Sequence, residues 1–329
     1  MRKIKWGVLG TAGIAKGCTI PGMKLAENCE LYAIAGRNPE KCKAYQDEFG
    51  FEKTYGSYEA LLADPQVEAV YIPLPNTLHY EWTMKALEAK KHVLCEKPLA
   101  PTAKQCEELI EAANKNGVFL MEAFAYLHSP YTKVVKEELE NGAIGDILYM
   151  ESEFITADYD ISNIRMRRET FGGCTYDLGC YNTSQILWMF GEEPEKVQAV
   201  ADFSGENIDL LTTGILTFKG GKRAIFNCGM VLATDRPDLE FQRIDRFQIH
   251  GTKGYIKSEI QFNEAGELSY VIGFNGKEER KVVSTPHNYS LEVAQLGRCI
   301  AEGETPHVAN AFTMKNARTI DRILEAIHY

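Results

Sequence analysis

The sequence predicts an α/β protein in two parts: a parallel sheet flanked by helices, then an α+β region with a mainly antiparallel, open sheet. Three observations predict it. Short apolar runs alternate with helical stretches over the first third of the chain, which is the rhythm of βαβ units. A loop of small residues, Gly7-Val8-Leu9-Gly10-Thr11-Ala12-Gly13-Ile14-Ala15, separates the first run from the first helix. From Val197 to Val283 the pattern changes to strands joined by tight turns.

In order, the first strand is Lys3 to Leu9, followed by a helix that Pro21 should interrupt, since proline has no N–H to donate. Further strands are expected at Leu31 to Ala35, Val67 to Ile72, His92 to Cys95 and Val118 to Met121. Between them, Asn76 is a suitable N-cap for a helix over Thr77 to Lys90. Thr102-Ala103-Lys104-Gln105 reads as a capping box opening a helix to about Asn116. After residue 122 the rhythm alters. One helix precedes Asn141-Gly142, a strand runs from Ile147 to Ile155, and a helix runs from about Tyr176 to Phe190. Lys219-Gly220-Gly221-Lys222 and Gly251-Thr252-Lys253-Gly254 are hairpin-like turns. Two amphipathic helices, Ser290 to Glu302 and Thr313 to Ile327, close the chain. The domains are therefore expected at 1–122 and 123–329.

The chain has 329 residues and a formal net charge of −10, a length that suits about two domains. An acidic chain without clustered Lys/Arg does not suit a nucleic-acid partner. No apolar run reaches the ~18 residues that span a bilayer, and no apolar segment at the N-terminus reads as a secretory signal. Nine scattered cysteines form no C-x-x-C pair, so they read as reduced, buried, cytoplasmic thiols without a metal role.

The Gly10 loop follows a strand and opens a helix, where a Rossmann domain sets a cofactor pyrophosphate over backbone N–H groups. The fingerprint G-x-G-x-x-G is only partly kept: Gly10 fits, and Ala12 and Ala15 stand at the other two positions. At the end of the second strand, Ala35-Gly36-Arg37-Asn38 lacks the acid that grips an NAD ribose. A small residue followed by Arg37 suits a 2′-phosphate, so NADP is expected over NAD.

Lys97 lies in the turn after His92-Val93-Leu94-Cys95-Glu96, at the carboxyl end of a strand, where α/β sheets bind ligands. Downstream, Phe171-Gly172-Gly173-Cys174-Thr175-Tyr176-Asp177-Leu178-Gly179-Cys180-Tyr181 places Asp177 and Tyr181 four apart, on one face of a helix. The two glycines are expected to leave room for a nicotinamide ring and substrate.

Together, Pro75-Asn76-Thr77-Leu78-His79, the segment Lys91 to Leu99 with its Glu96-Lys97-Pro98 turn, and the Phe171 to Tyr181 segment resemble the glucose–fructose oxidoreductase / inositol dehydrogenase / MocA family over essentially the whole chain. Tyr181 in place of the common His, and Asn163-Ile164-Arg165, resemble the branch with dimeric dihydrodiol dehydrogenase and NADP-linked xylose dehydrogenase. The resemblance implies an NAD(P)-dependent oxidoreductase of sugars, polyols or vicinal diols. It implies cofactor contacts from Gly10, Thr11, Ala12, Ile14, Arg37, Asn38, Leu74, Asn76, His79, Glu96 and Lys97. It implies catalysis by Lys97, Asp177 and Tyr181, and substrate contacts from Arg165, Asp177 and Tyr181. Tyr181 is the expected proton donor, Lys97 lowers its pKa, and Asp177 orients the lysine or binds a substrate hydroxyl. For His79 and Arg165 a structural role is the alternative.

The sequence departs from the family pattern in two places. Cys174 replaces the third glycine, and Leu127 stands where the family has Arg before a proline. An exposed sheet face needs a cover, so a homodimer or homotetramer is expected. A non-catalytic nucleotide-binding regulator and a cofactor-recycling glycosidase share this fold, and remain open on sequence alone.

Overall fold

The computed structural model describes residues 2–157, 160, 162–230, 243–258 and 262–329. The first elements are β1 (Ile4–Leu9), α1 (Ile20–Leu25), β2 (Cys29–Ala35), α2 (Pro39–Phe49), β3 (Lys53–Tyr55), α3 (Tyr58–Ala63), β4 (Ala69–Ile72), α4 (Asn76–Glu88), β5 (His92–Glu96), α5 (Ala103–Asn116) and β6 (Leu120–Ala123). There follow α6 (Pro130–Glu140), β7 (Ile147–Thr156), α7 (Cys180–Phe190), β8 (Lys196–Phe203), β9 (Asp209–Thr217), β10 (Arg223–Gly229), β11 (Arg243–Gly251), β12 (Gly254–Ser258), β13 (Gly266–Phe274), β14 (Lys277–Thr285), α8 (Asn288–Glu302) and α9 (Asn310–Ala326).

The chain divides into two compact units. The first comprises Met1–His128 and Pro286–Met314; the second comprises Ser129–Thr285 and Lys315–Tyr329. The expected division at 122/123 lies near the first crossover but gives all the closing chain to the second domain. Pro286–Met314 instead joins the first unit, because α8 packs on α1 there. Gly22 makes that approach possible: a Cβ at Gly22 meets the Tyr289 backbone at 2.8 Å.

The first unit holds a six-stranded parallel sheet in the order β3-β2-β1-β4-β5-β6. Its central strands are covered on both faces and so read as unbroken apolar runs; Ile4, Trp6, Val8, Val70, Ile72, Val93 and Leu94 are fully buried. Thr102 caps α5 as expected: its hydroxyl accepts from Gln105 N at 3.3 Å, and Gly117 closes α5 in the left-handed conformation. Asn76 is not the N-cap expected of it. The preceding Pro75 fixes an extended backbone and takes the cap position, so Asn76 becomes the first helical residue. Pro21 does not break its helix either. A π turn over Ala15–Thr19 precedes it and carries the chain past the missing N–H.

The second unit holds an eight-stranded sheet in the order β14-β13-β12-β11-β7-β10-β9-β8. It is antiparallel throughout except for the β7–β10 pair. Helices α6 and α7 pack on this sheet. Its outer strands still expose apolar side chains, with Val200 71%, Val282 58% and Ile215 40% exposed.

Candidate active site

In the first unit, the loop after β1 turns at Gly10, whose φ of +115° excludes other residues without strain. Its N–H donates to Ala35 O at 2.8 Å, which binds the loop to the end of β2. A Cβ at Gly10 would stand 3.0 Å from the Leu74 side chain. Tyr45 donates to Ala12 O at 3.2 Å and pins the loop from α2. Thr11, Ala12 and Ile14 remain at least partly exposed at the start of the helix. This is a shallow cradle of backbone at a helix start, with the small residues that a pyrophosphate needs. Arg37 is exposed at the end of β2 and lies close enough to Tyr58 to affect its ionisation. The residues present therefore fit a dinucleotide, and the cation fits a 2′-phosphate.

Three of the expected cofactor contacts have other duties. Asn38 Oδ1 accepts from Lys41 N at 2.9 Å and caps α2. His79 is fully buried, with Nδ1 2.8 Å from Pro98 O and Nε2 2.7 Å from Leu74 O. Burial lowers its pKa, and a neutral ring donates one N–H to one of these two carbonyls; the buried ring beside the Leu74 loop and the turn after β5 fits the structural alternative. Glu96 is 8% exposed and accepts from the Tyr71 hydroxyl, to which Thr19 donates at 2.9 Å. Lys97 follows it, half-buried, in the turn after β5. Asn76 and Leu74 are half-buried beside that turn's His79 clamp.

Sequence reasoning missed the acids beneath this turn. Glu122 on β6 is 3% exposed, accepts from Leu99 N at 3.0 Å, and is pushed up to about 7 by burial. Glu292 on α8 is fully buried, with its pKa raised by burial and by Glu96. An acid inside the apolar run Leu120-Met121-Glu122-Ala123 was the available signal.

In the second unit, the Phe171 to Tyr181 segment enters α7 through a π turn over Thr175–Gly179. The turn is wider than an α turn, and it carries Asp177 just ahead of α7, whose first turn holds Tyr181. Asp177 Oδ2 accepts from Arg165 Nε at 2.7 Å. Asn163 Oδ1 caps the short turn carrying Arg165, accepting from Arg165 N at 3.0 Å. Asp177, Arg165, Asn163, Asp160 and Arg243 line a cavity of about 240 Å³. Tyr181 stands in an aromatic cluster, its ring 5.4 Å from that of Phe154 and 5.1 Å from that of Phe262.

The two glycines do not leave open space. A Cβ at Gly172 falls 2.3 Å from Arg165 O, and one at Gly173, where φ is +100°, falls 1.8 Å from Asp209 Oδ1. They let the segment close onto its own unit. Cys174 is buried there too: its Sγ is 3.1 Å from Asp209 Oδ2 and 3.7 Å from Cys228 Sγ. Asp209 also accepts from Thr175 N at 2.8 Å, so this buried acid fixes the start of the π turn. The replacement of glycine by Cys174 thus changes the interior. Leu127 is also buried, and its carbonyl lies 3.0 Å from His307 Nε2. Among the described residues there is no His/Cys/Asp/Glu group that could hold a metal ion, and all nine cysteines are free.

Comparison with known proteins agrees over nearly the full length. Residues 4–124 match an oxidoreductase family profile with an NAD-binding Rossmann fold. Residues 132–257 match the Gfo/Idh/MocA C-terminal domain. The chain is 34% identical to D-xylose 1-dehydrogenase (NADP(+)) 2 of Haloferax volcanii, over 98% of this chain and 96% of the relative. It is 31% identical to trans-1,2-dihydrobenzene-1,2-diol dehydrogenase of Xenopus laevis, over 98% of each. Among solved structures, a 3-ketoreductase from Actinomadura kijaniata in complex with NADP and TDP-benzene superposes with a TM-score of 0.92. The identity is 28%, covering 99% of this chain and 98% of that one.

Proposed function

The chain belongs to the Gfo/Idh/MocA family of NAD(P)-dependent oxidoreductases, and from that premise we propose that it uses NADP to interconvert a hydroxyl and a carbonyl on a neutral sugar, polyol or vicinal diol. One observation carries the substrate class. The cavity in the second unit is lined by two guanidiniums, Arg165 and Arg243, and two carboxylates, Asp160 and Asp177. Arg165 is already paired with Asp177, and Arg243 with Asp245. Balanced, paired charges offer alternating donors and acceptors to hydroxyl groups, and no net positive charge to an anion.

NADP is supported by Arg37 at the end of β2, where no acid stands to grip a bare ribose. Gly10, Thr11, Ala12 and Ile14 are the residues that would hold the pyrophosphate. The bound nicotinamide supplies or accepts the hydride. In reduction, negative charge grows on the substrate oxygen, and Tyr181 meets it as proton donor; in oxidation Tyr181 takes the proton back. Lys97, half-buried in the turn after β5, is the cation of the expected catalytic set. Asp177, held by Arg165, binds a substrate hydroxyl rather than serving as the acid. The relatives, which are dehydrogenases and a ketoreductase, favour net hydride transfer over a regulator or a glycosidase.

The exposed apolar side chains of the second sheet support a homo-oligomer in which a second copy covers that face. The free cysteines support a reducing, cytoplasmic setting. The substrate class is tested by rates on a neutral polyol and on its carboxylate analogue. The neutral compound should have the higher kcat/KM by about tenfold or more, because the Arg165 and Arg243 guanidiniums that line the cavity are already held by Asp177 and Asp245. A preference for the carboxylate would refute the charge argument.

A further inference from the structure

Phe262, whose ring lies 5.1 Å from that of Tyr181, lies outside the strands, between the end of β12 at Ser258 and the start of β13 at Gly266. No sheet ladder fixes it. An ion pair on β11, its acid buried, holds its backbone. Asp245 Oδ2 accepts from Phe262 N at 2.6 Å and from the Arg243 guanidinium. The same guanidinium donates to Phe262 O at 3.2 Å. Both backbone groups of Phe262 are therefore held by one acid and one base. Asp245 pairs across the sheet with Phe154, so the two side chains share a face. The Arg243 guanidinium lies 5.0 Å from the Phe154 ring centroid, and the Phe154 and Phe262 rings are 5.2 Å apart. Phe154 and Phe262 together hold the Tyr181 ring on two sides.

We propose that Asp245 is a positioning residue for the reaction: through Arg243 and the backbone of Phe262 it sets the ring packing that aims the Tyr181 phenol. This rests on the reading of Tyr181 as the proton donor. Asp245 is 4% exposed, and a lone carboxylate there would not persist; Arg243 is the partner that keeps it ionised. The charged groups that act on it are Arg243 and Glu264, and its neighbour across β7 is the apolar Phe154. Burial raises it to about 6, against the pull of Arg243. Below that pH it is protonated, loses its hold on Arg243, and loosens the clamp.

The test compares wild type, Asp245→Asn, Tyr181→Phe and the double variant, by kcat and KM across pH 5 to 8. Misaiming a proton donor costs about tenfold in kcat. We expect that loss in Asp245→Asn at pH 8, an unchanged KM for NADP, and the disappearance of the wild-type fall in kcat below about pH 6. In the Tyr181→Phe background the Asp245→Asn change should cost nothing further, because both act through one phenol. Phe262→Leu keeps both backbone bonds and removes only the ring; it should reproduce the kcat loss without the pH effect. An ultraviolet tyrosinate titration gives a reading independent of turnover: the Tyr181 component, found by difference from Tyr181→Phe, should shift in Asp245→Asn. An equal loss in both backgrounds would overturn the proposal, as would wild-type kcat in Asp245→Asn beside an impaired Tyr181→Phe. Wild-type kcat in Tyr181→Phe would instead remove Tyr181 from the mechanism, and the proposal with it.

Discussion

Glu122 should make the protein less stable as pH rises through neutrality, and its amide should abolish the effect. The carboxyl is buried at the end of β6, and burial lifts it from 4.5 to about 7. A folded-state value above the unfolded one means that the fold prefers the protonated acid. The stabilising preference is fully present below about 4.5 and is lost progressively until pH passes 7. At about 1.4 kcal/mol per unit, the loss accumulates to about 3 kcal/mol. Glu122→Gln keeps an oxygen for the Leu99 N–H and carries no charge at any pH. Urea denaturation of the first unit's transition, for wild type and Glu122→Gln from pH 4 to 9, measures the difference. The two should match near pH 4. The variant's advantage should grow by about 1.4 kcal/mol per unit to pH 7 and then level off. A difference that does not change with pH would refute the assignment of a protonated acid at this position.

Three further outcomes follow from the geometry. Arg37→Ala should weaken NADP binding by about 10- to 100-fold while leaving NAD binding within a factor of about two, because charge-assisted bonds to a phosphate are worth roughly 1.5–3 kcal/mol; titration calorimetry with each cofactor measures this, and equal losses would remove the 2′-phosphate role. Asn38→Ala should cost about 1 kcal/mol of stability through the lost cap on α2, read as a lower thermal midpoint of the cofactor-free protein. Val200→Asp, on the exposed face of β8, should drive the protein toward monomer in sedimentation, and an unchanged oligomer would exclude this strand from the interface.

The first unit was largely legible in the sequence because its signals are local. Apolar runs of four to seven residues specify the parallel strands, and Thr102 with Gly117 brackets α5 as expected. The short β3 over Lys53–Tyr55 escaped because three residues carry no periodicity. The return of α8 to the first unit was invisible, since it depends on Gly22 and Tyr289, far apart in the chain. In the site, residue types were readable but their partners were not. The motif pointed to Asp177 and Tyr181, but not to Arg165 as the partner of the acid or to Phe154 and Phe262 as the rings against the phenol. His79 and Glu96 lie within the motifs and yet face inward, because burial and backbone partners decide orientation. The supporting residues Asp209, Asp245 and Phe262 lie 28 to 81 residues beyond the motif's last member, Tyr181. They act through long-range packing that no spacing rule encodes.

The most direct test of the central claim is the initial rate of nicotinamide reduction with NADP⁺ and NAD⁺ side by side, on neutral aldoses, polyols and trans-dihydrodiols. The account predicts turnover with NADP⁺, a preference over NAD⁺, and a fall of about 100-fold or more in Tyr181→Phe. Tight cofactor binding with no absorbance change on any of these compounds would contradict it.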